Sequence, residues 1–263
     1  MIGLKHLGTT ATRIALITIF SCVSSTSFAA TQQNIQPEAR ELLLAANQAR
    51  ASVGAPALTL DPQLTLAARQ HCLRMASEGS LSHRYAGESE LTTRASQSGS
   101  HFSLIEENVA VGPTVVNIHH AWMQSQGHRE NLLNPDIDRV GIAVVASRGT
   151  LYAVADYARS VQSLAPAQVE AAISQLLRPA RLIVRNDSAL ARQYCSSTNH
   201  LSSDGPNAPS FMMRWQGADL SQLPNTLLLR IGTGLYHEAS VGSCKPKGLD
   251  DSFTAYRIVV LLY

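Results

Sequence analysis

The 263-residue sequence has little net charge, few charged residues and few cysteines. Lys and Arg number 21 against 19 Asp and Glu, a formal balance of +2, and charged residues make up only 15%. That balance leaves no electrostatic footprint for nucleic acid or for an anionic membrane surface. No low-complexity segment and no internal sequence repeat interrupt the chain. Past the first 30 residues, no stretch approaches the roughly 18 apolar residues that a membrane helix needs. What is present is ordinary for a folded protein: 45% hydrophobic residues, which excludes wholesale disorder, in a length suited to one or two domains.

Residues 1–29 read as an export signal. Lys5 and Arg13 give a basic start, and Ile14 to Phe20 is an apolar run too short for a stable anchor. Ser27 and Ala29 place small residues where a signal peptidase inspects them, so cleavage is expected after Ala29. An uncleaved anchor is one alternative. A lipoprotein acylated at Cys22 is another, and the bulky Phe20 fits it poorly. The expected location is periplasmic or extracellular. Lys5 and Arg13 are the only charges of the leader, so the mature chain carries 19 residues of each sign. Of the four cysteines, Cys72, Cys195 and Cys244 remain after cleavage. Under oxidising conditions Cys195 and Cys244, in the same C-terminal region, are the natural disulfide pair. Cys72 sits in an apolar helical pattern and reads as a buried free thiol.

Helical periodicity marks Ala39, Leu42, Leu43, Ala46 and Ala49, closed by Gly54 and Pro56. A second helix starts at Asp61-Pro62, with Leu64, Ala67, Ala68, His71, Cys72 and Met75 along its buried face. Shorter helices are expected over 91–97 and 114–124. Val140 to Ala146 and Leu151 to Tyr157 read as a hairpin turned at Ser147-Arg148-Gly149-Thr150. After a linker at 160–166, helices are expected over 168–177 and 188–194. Strands are expected over 182–184, 211–215, 226–231, 238–243 and 256–263. The division is a signal at 1–29, a first domain at 30–162 and a mostly β domain at 163–263. The parts are nearly neutral, net −2 over residues 30–159 and net +2 over 160–263.

Three residues in the first part stand out chemically. His83 follows the second helix, Glu107 lies in Glu106-Glu107-Asn108-Val109-Ala110, and His128 follows the 114–124 helix. Each is expected on a loop or an element end, where scaffolds display functional groups. Two imidazoles and a carboxylate can hold a divalent metal or hydrogen-bond a polar head group; each His can equally cap a loop or helix end. Asn47 and Arg50 are read as pinning the first helix to the sheet, Trp122 as core and His71 as a satisfied core histidine. His119 and His120 point about 100° apart on a helix and cannot both serve one site. His200 and His237 are read as surface residues.

The ordered set of motifs is specific as a whole. It runs Asn47-x-x-Arg50, Leu60-x-x-x-Leu64, His71, Ser82-His83, Arg94, Glu107-Asn108-Val109-Ala110, Trp122-Met123-x-Ser125-x-Gly127-His128-Arg129-x-Asn131, Val140-Gly141 and Asp156-Tyr157-Ala158. Over about residues 39–158 it resembles the CAP superfamily (cysteine-rich secretory, antigen 5 and pathogenesis-related proteins), in its bacterial SCP-domain form. The resemblance implies an α+β fold, a three-layer α-β-α sandwich, here followed by a small α+β, mostly β, C-terminal domain. It implies a central cavity with two His and two acids. His83 and His128 match the histidines and Glu107 the first acid. The second acid position is Ser125 here, and either Glu106 or Glu130 is a candidate replacement.

The resemblance makes a secreted, non-catalytic binding module the leading expectation. His83 and His128 would take Zn or another divalent cation, and His83, Glu107, Ser125, His128 and Glu130 would face a lipid, sterol-like or cell-envelope ligand. The alternative is a hydrolase, either through a metal-activated water or through Ser125, His128 and Glu107 as a nucleophile–base–acid set. No nucleophile elbow surrounds Ser125. No nucleic-acid partner and no transmembrane segment in the mature chain are expected, and oligomeric state is open.

Overall fold

A computed structural model describes residues 36–197, 208–247 and 252–263. The leader with Cys22, and His200, lie outside the described residues. Helix α1 spans Pro37–Ser52, and a two-residue strand β1, Thr59–Leu60, follows it. Helix α2, Pro62–Glu78, begins where expected: Asp61 caps it by accepting from the Leu64 N–H at 2.8 Å, and Pro62 needs no donor there. Gly79 ends it in the left-handed conformation. Helix α3, Leu91–Gln97, leads to strand β2, Phe102–Gly112. Helices α4, Val115–Gln124, and α5, Gln126–Leu133, precede the hairpin of β3, Arg139–Ser147, and β4, Thr150–Ser160. Arg148 and Gly149 both have positive φ, the turn type whose twist matches a two-residue hairpin.

These strands form a sheet in the order β1-β3-β4-β2, with β1 parallel to β3 and the other pairs antiparallel. Helix α2 covers one face through Ala68, Cys72 and Met75 against Val109, Ala143 and Val154. The second face carries α1, α4 and α5. Asn47 and Arg50, expected to pin the first helix to the sheet, instead tie it to the loop before β1 and to the segment from the end of α5 to the start of β3. Asn47 both donates to and accepts from the backbone of Leu58. Arg50 is fully buried and donates to the carbonyls of Pro56, Leu132, Asn134 and Ile137. Trp122 is core, and Cys72 is a buried free thiol that donates to the Tyr152 carbonyl.

Three local expectations are corrected. Residues 102–112 form a strand that the periodicity did not mark, because its inward positions include Glu107 as well as apolar residues. Residues 126–133 form a helix in a segment rich in polar side chains, with Leu132 as its buried residue. Thr226 to Ile231, expected as a strand, lies within helix α8, Asn225–Ile231. There Pro224 sets the entry to the helix, and Leu227 alone is buried while Leu228 and Leu229 face out.

The second half begins with helix α6, Pro166–Leu177, strand β5, Ile183–Val184, and helix α7, Ala189–Ser196. Strand β6, Phe211–Gly217, helix α8, and strands β7, Glu238–Cys244, and β8, Tyr256–Leu262, complete it. Its sheet order is β5-β7-β8-β6, with β5 parallel to β7 and the rest antiparallel. That is the arrangement of the first sheet, strand for strand, although the sequence shows no repeat. Every residue of β8 is buried, since α6 and α8 cover one face and α7 the other. Cys195 on α7 and Cys244 on β7 form the expected disulfide.

Both halves lie in one compact unit, Gln36–Tyr263. The Thr254 N–H donates to the Phe102 carbonyl at 2.8 Å, and the rings of Phe102 and Phe253 meet edge to face at 5.4 Å. The Tyr256 hydroxyl donates to the Gln162 carbonyl.

Candidate functional site

Glu107 stands in the middle of β2, not on a loop, and its side chain shares the α2 face with Val109. It is buried, yet it gathers polar partners from three elements. His83, on the loop after α2, brings Nδ1 to 2.9 Å from Glu107 Oε1. Arg94 on α3, also buried, donates from Nη2 to Glu107 Oε2 at 2.5 Å. His71 on α2 is fully buried; its Nδ1 lies 2.6 Å from Glu88 and its Nε2 2.9 Å from the Ser82 carbonyl. His71 Nε2 is also 4.0 Å from Glu107 Oε2. The expected satisfied core histidine is therefore also a wall of the site.

His128 lies on the first turn of α5, and its ring centroid is 6.3 Å from that of His83. Asparagines fix this end. Asn108 Nδ2 donates to the His128 carbonyl at 2.8 Å, and Asn131 Nδ2 donates to Asn108 Oδ1 and to the Glu107 carbonyl. The site thus straddles edge strand β2, with Glu107 and Arg94 on the α2 side and α5 reaching around the edge.

The two imidazoles differ electrically. The hydrogen bond that His83 donates to Glu107 holds the His83 pKa above its ordinary value, against burial and the nearby Arg94. Burial, and then the neighbouring His83, push that of His128 down. Near neutral pH His128 is a neutral ring, while His83 is half exposed with Nδ1 engaged by the carboxylate. A carboxylate on Nδ1 fixes the tautomer and leaves Nε2 free to act outward.

Other residues expected here are placed elsewhere. Ser125 is half buried between α4 and α5 and, among the described residues, makes no hydrogen bond to His128. Glu130 is exposed and accepts from Gln126 at 2.9 Å. Glu106 alternates to the opposite face of β2 from Glu107 and accepts from Asn134 at 3.0 Å. No group of three or more His, Cys, Asp and Glu is placed to hold a metal among the described residues. A cation here would have only the imidazoles of His83 and His128 as protein ligands, since Glu107 is spent on His83 and Arg94. A cleft of about 340 Å³ lined by Ser103, Arg159, Val161 and Asp219 lies apart from this group.

Asp156 is the residue that sequence reading left unassigned. It is fully buried on β4, directly opposite Glu107 on β2, and neither of its oxygens has a hydrogen-bond donor among the described residues. Burial, and then the Glu107 charge, raise its pKa well above the ordinary carboxyl value. A single acid inside the apolar run of β4 was the available signal.

Comparison with known proteins decides the kinship of this arrangement. Residues 43–157 match the sequence model of CAP, the Cysteine-rich secretory protein family. These residues form a CAP domain. The CAP domain resembles YkwD of Bacillus subtilis (strain 168), at 29% identity over 102 residues, 38% of this chain and 40% of that protein. A protein of Borreliella burgdorferi is 26% identical over 84 residues, 32% of this chain and 54% of that protein. The chain thus spans about half or less of the curated relatives it matches. Among solved structures, an extracellular SCP-domain protein of Bacillus anthracis has 23% identity, TM-score 0.45, and coverage of 52% of this chain and 45% of that one. An outer surface protein of Borrelia burgdorferi has 20% identity, TM-score 0.45, and coverage of 48% of this chain and 94% of that one. Among the described residues no helix is long and apolar enough to cross a membrane.

Proposed function

We propose that this chain is an exported binding module, with its ligand site at His83, Glu107 and His128. The observation that carries the reading is the 2.9 Å contact between His83 Nδ1 and Glu107 Oε1. It orients one imidazole outward, beside a second imidazole whose pKa is lowered. Once His83 has given up its proton, such a pair offers two neutral nitrogens to a divalent cation such as zinc; in either state it offers hydrogen bonds to the polar head of a lipid or cell-envelope ligand. When bound, the cation would supply a positive anchor for that head group. With two protein ligands, binding would be weak and completed by solvent or by the ligand itself.

Binding is favoured over hydrolysis because, among the described residues, Ser125 makes no hydrogen bond to His128, the base of the alternative set. The test is native mass spectrometry and calorimetry with zinc, on protein purified without chelators. Uptake should be present in the wild type and lost in the H83A/H128A double variant. Equal uptake by both proteins would remove the cation from this reading. Zinc-dependent turnover of a peptide or ester substrate, lost in the double variant, would replace binding by catalysis.

A further inference from the structure

The two sheets permit a comparison inside one chain. In the first sheet, Gly141 on β3 pairs with Asp156 on β4, and Asp156 pairs with Glu107 on β2. In the second, Gly242 on β7 pairs with Val259 on β8, and Val259 pairs with Arg214 on β6. The rows correspond physically as well as topologically. A Cβ on Gly141 would lie 2.1 Å from the backbone of Leu64, the third residue of α2. A Cβ on Gly242 would lie 2.4 Å from the backbone of Ala191, the third residue of α7. Each row therefore passes beneath the same turn of its covering helix.

At the centre of the row the second sheet carries Val259, wholly buried with Ala191, Cys195 and Leu261. An apolar side chain serves the fold at this point. The first sheet carries an acid there instead. A fully buried ionised carboxylate without donors is strongly disfavoured, and a second carboxylate alongside makes it worse. The groups around Asp156 are Glu107 from β2, Arg94 from α3 and Cys72 from α2, with Tyr157 its neighbour on β4; His71 from α2 stands 4.0 Å from the far side of the pair, at Glu107 Oε2. The Arg94 guanidinium is already held by Glu107 at 2.5 Å. A carboxyl whose near neighbour is another carboxylate is satisfied by one change, a proton between them.

We infer that Asp156 is a positioning residue of the binding site: as a neutral carboxylic acid it donates its O–H to Glu107 and holds that carboxylate against His83. The inference rests on the proposed site but not on any ligand. Glu107 then meets a donor on each side, Asp156 from beneath, Arg94 laterally and His83 toward solvent. The same row in the second sheet, with Arg214 in place of Glu107 and Val259 in place of Asp156, has neither acid. The site is thus built on one of two similar frameworks.

The experiment uses ligand-free full chain and two variants, D156N and D156V. Val259 shows that the framework accepts valine here, and the asparagine amide can still donate to Glu107. Infrared difference spectra at pH 7, wild type minus D156N, should show one protonated-carboxyl C=O band. Nitrogen-15 NMR of the His83 ring at the same pH should show the Nδ1–H tautomer retained in D156N and several-fold depleted in D156V. Absence of the carboxyl band from the difference spectrum overturns the inference. So does an unchanged His83 tautomer in D156V. Because no ligand is present, failure here is distinct from failure of zinc uptake, which would count against the binding reading alone.

Discussion

Glu107 and Arg214 occupy the same position on two sheets of identical strand order, one an acid and the other a base. Around Glu107 the chain assembles His83, Arg94, His71 and Asp156. Around Arg214 the partners are the Tyr194 carbonyl at 2.7 Å and the Met212 sulfur. One framework has been given polar chemistry, and its counterpart keeps an apolar layer.

The two site histidines should titrate apart. His83 is held above its ordinary pKa by Glu107, and His128 lies below it. NMR titration should therefore give a midpoint above about 6.5 for His83 and below it for His128. E107Q should bring His83 down and leave His128 little changed. Because the folded-state pKa of His83 is raised, its contact with Glu107 stabilises most below about pH 6.5 and fades as pH rises through the folded value. Cation binding runs the other way and should weaken as acid protonates His83 first. Coincident midpoints would contradict this assignment.

Arg50 should be among the most sensitive positions for stability. Its guanidinium is fully buried and serves four backbone carbonyls, in the loop after α1 and around the end of α5. R50M keeps much of the apolar stem but leaves those acceptors without donors, at a cost on the order of 4 kcal/mol. Urea unfolding should show this loss at unchanged m-value. R50K should recover only part of it, since one ammonium cannot span four acceptors.

Three glycines should respond differently to alanine. A Cβ at Gly141 or Gly242 would meet helix backbone at 2.1 or 2.4 Å, so each substitution forces a helix off its sheet. Each should cost about 3 kcal/mol by overpacking. Gly127 lies in α5, and nothing approaches within 4 Å of its Cβ position. G127A should stabilise by about 0.5–1 kcal/mol through helix propensity. Thermal melts of the three variants decide all of this together.

The Cys195–Cys244 bridge closes a separation of 49 residues. In the chain-entropy model it contributes on the order of 4 kcal/mol. A C195S/C244S variant should melt well below the wild type, and reductant should affect the wild type alone. Equal melting with and without reductant would show that the bridge does not carry this stability.

Local signals were legible where one residue or one spacing dictates the outcome. Asp61-Pro62 announces the start of α2, Arg148-Gly149 the hairpin turn, and the stripe from Leu64 to Met75 the buried face. Strand β2 was not legible, because Glu107 breaks the alternation that marks a half-buried strand. Helix α5 was not, because only Leu132 of its eight residues is buried and no apolar stripe forms. Helix α8 was misread because a short apolar run fits a strand or a helix equally well until its partners are known.

The sequence by itself determined the start of α2, the hairpin, the motif set of the CAP domain and the pairing of Cys195 with Cys244. Those depend on local chemistry, or on which residues are present at all. Tertiary structure alone decided that Glu107 points at His83 and Arg94 while Glu106 points away, because strand alternation needs a register to have meaning. It alone set Asp156 beside Glu107, residues 49 positions apart in the chain. It alone showed that the C-terminal half repeats the sheet of the first. Strand order and direction are relations between distant segments, and two sheets can share them while their side chains differ, each here with a glycine where a helix presses on the sheet.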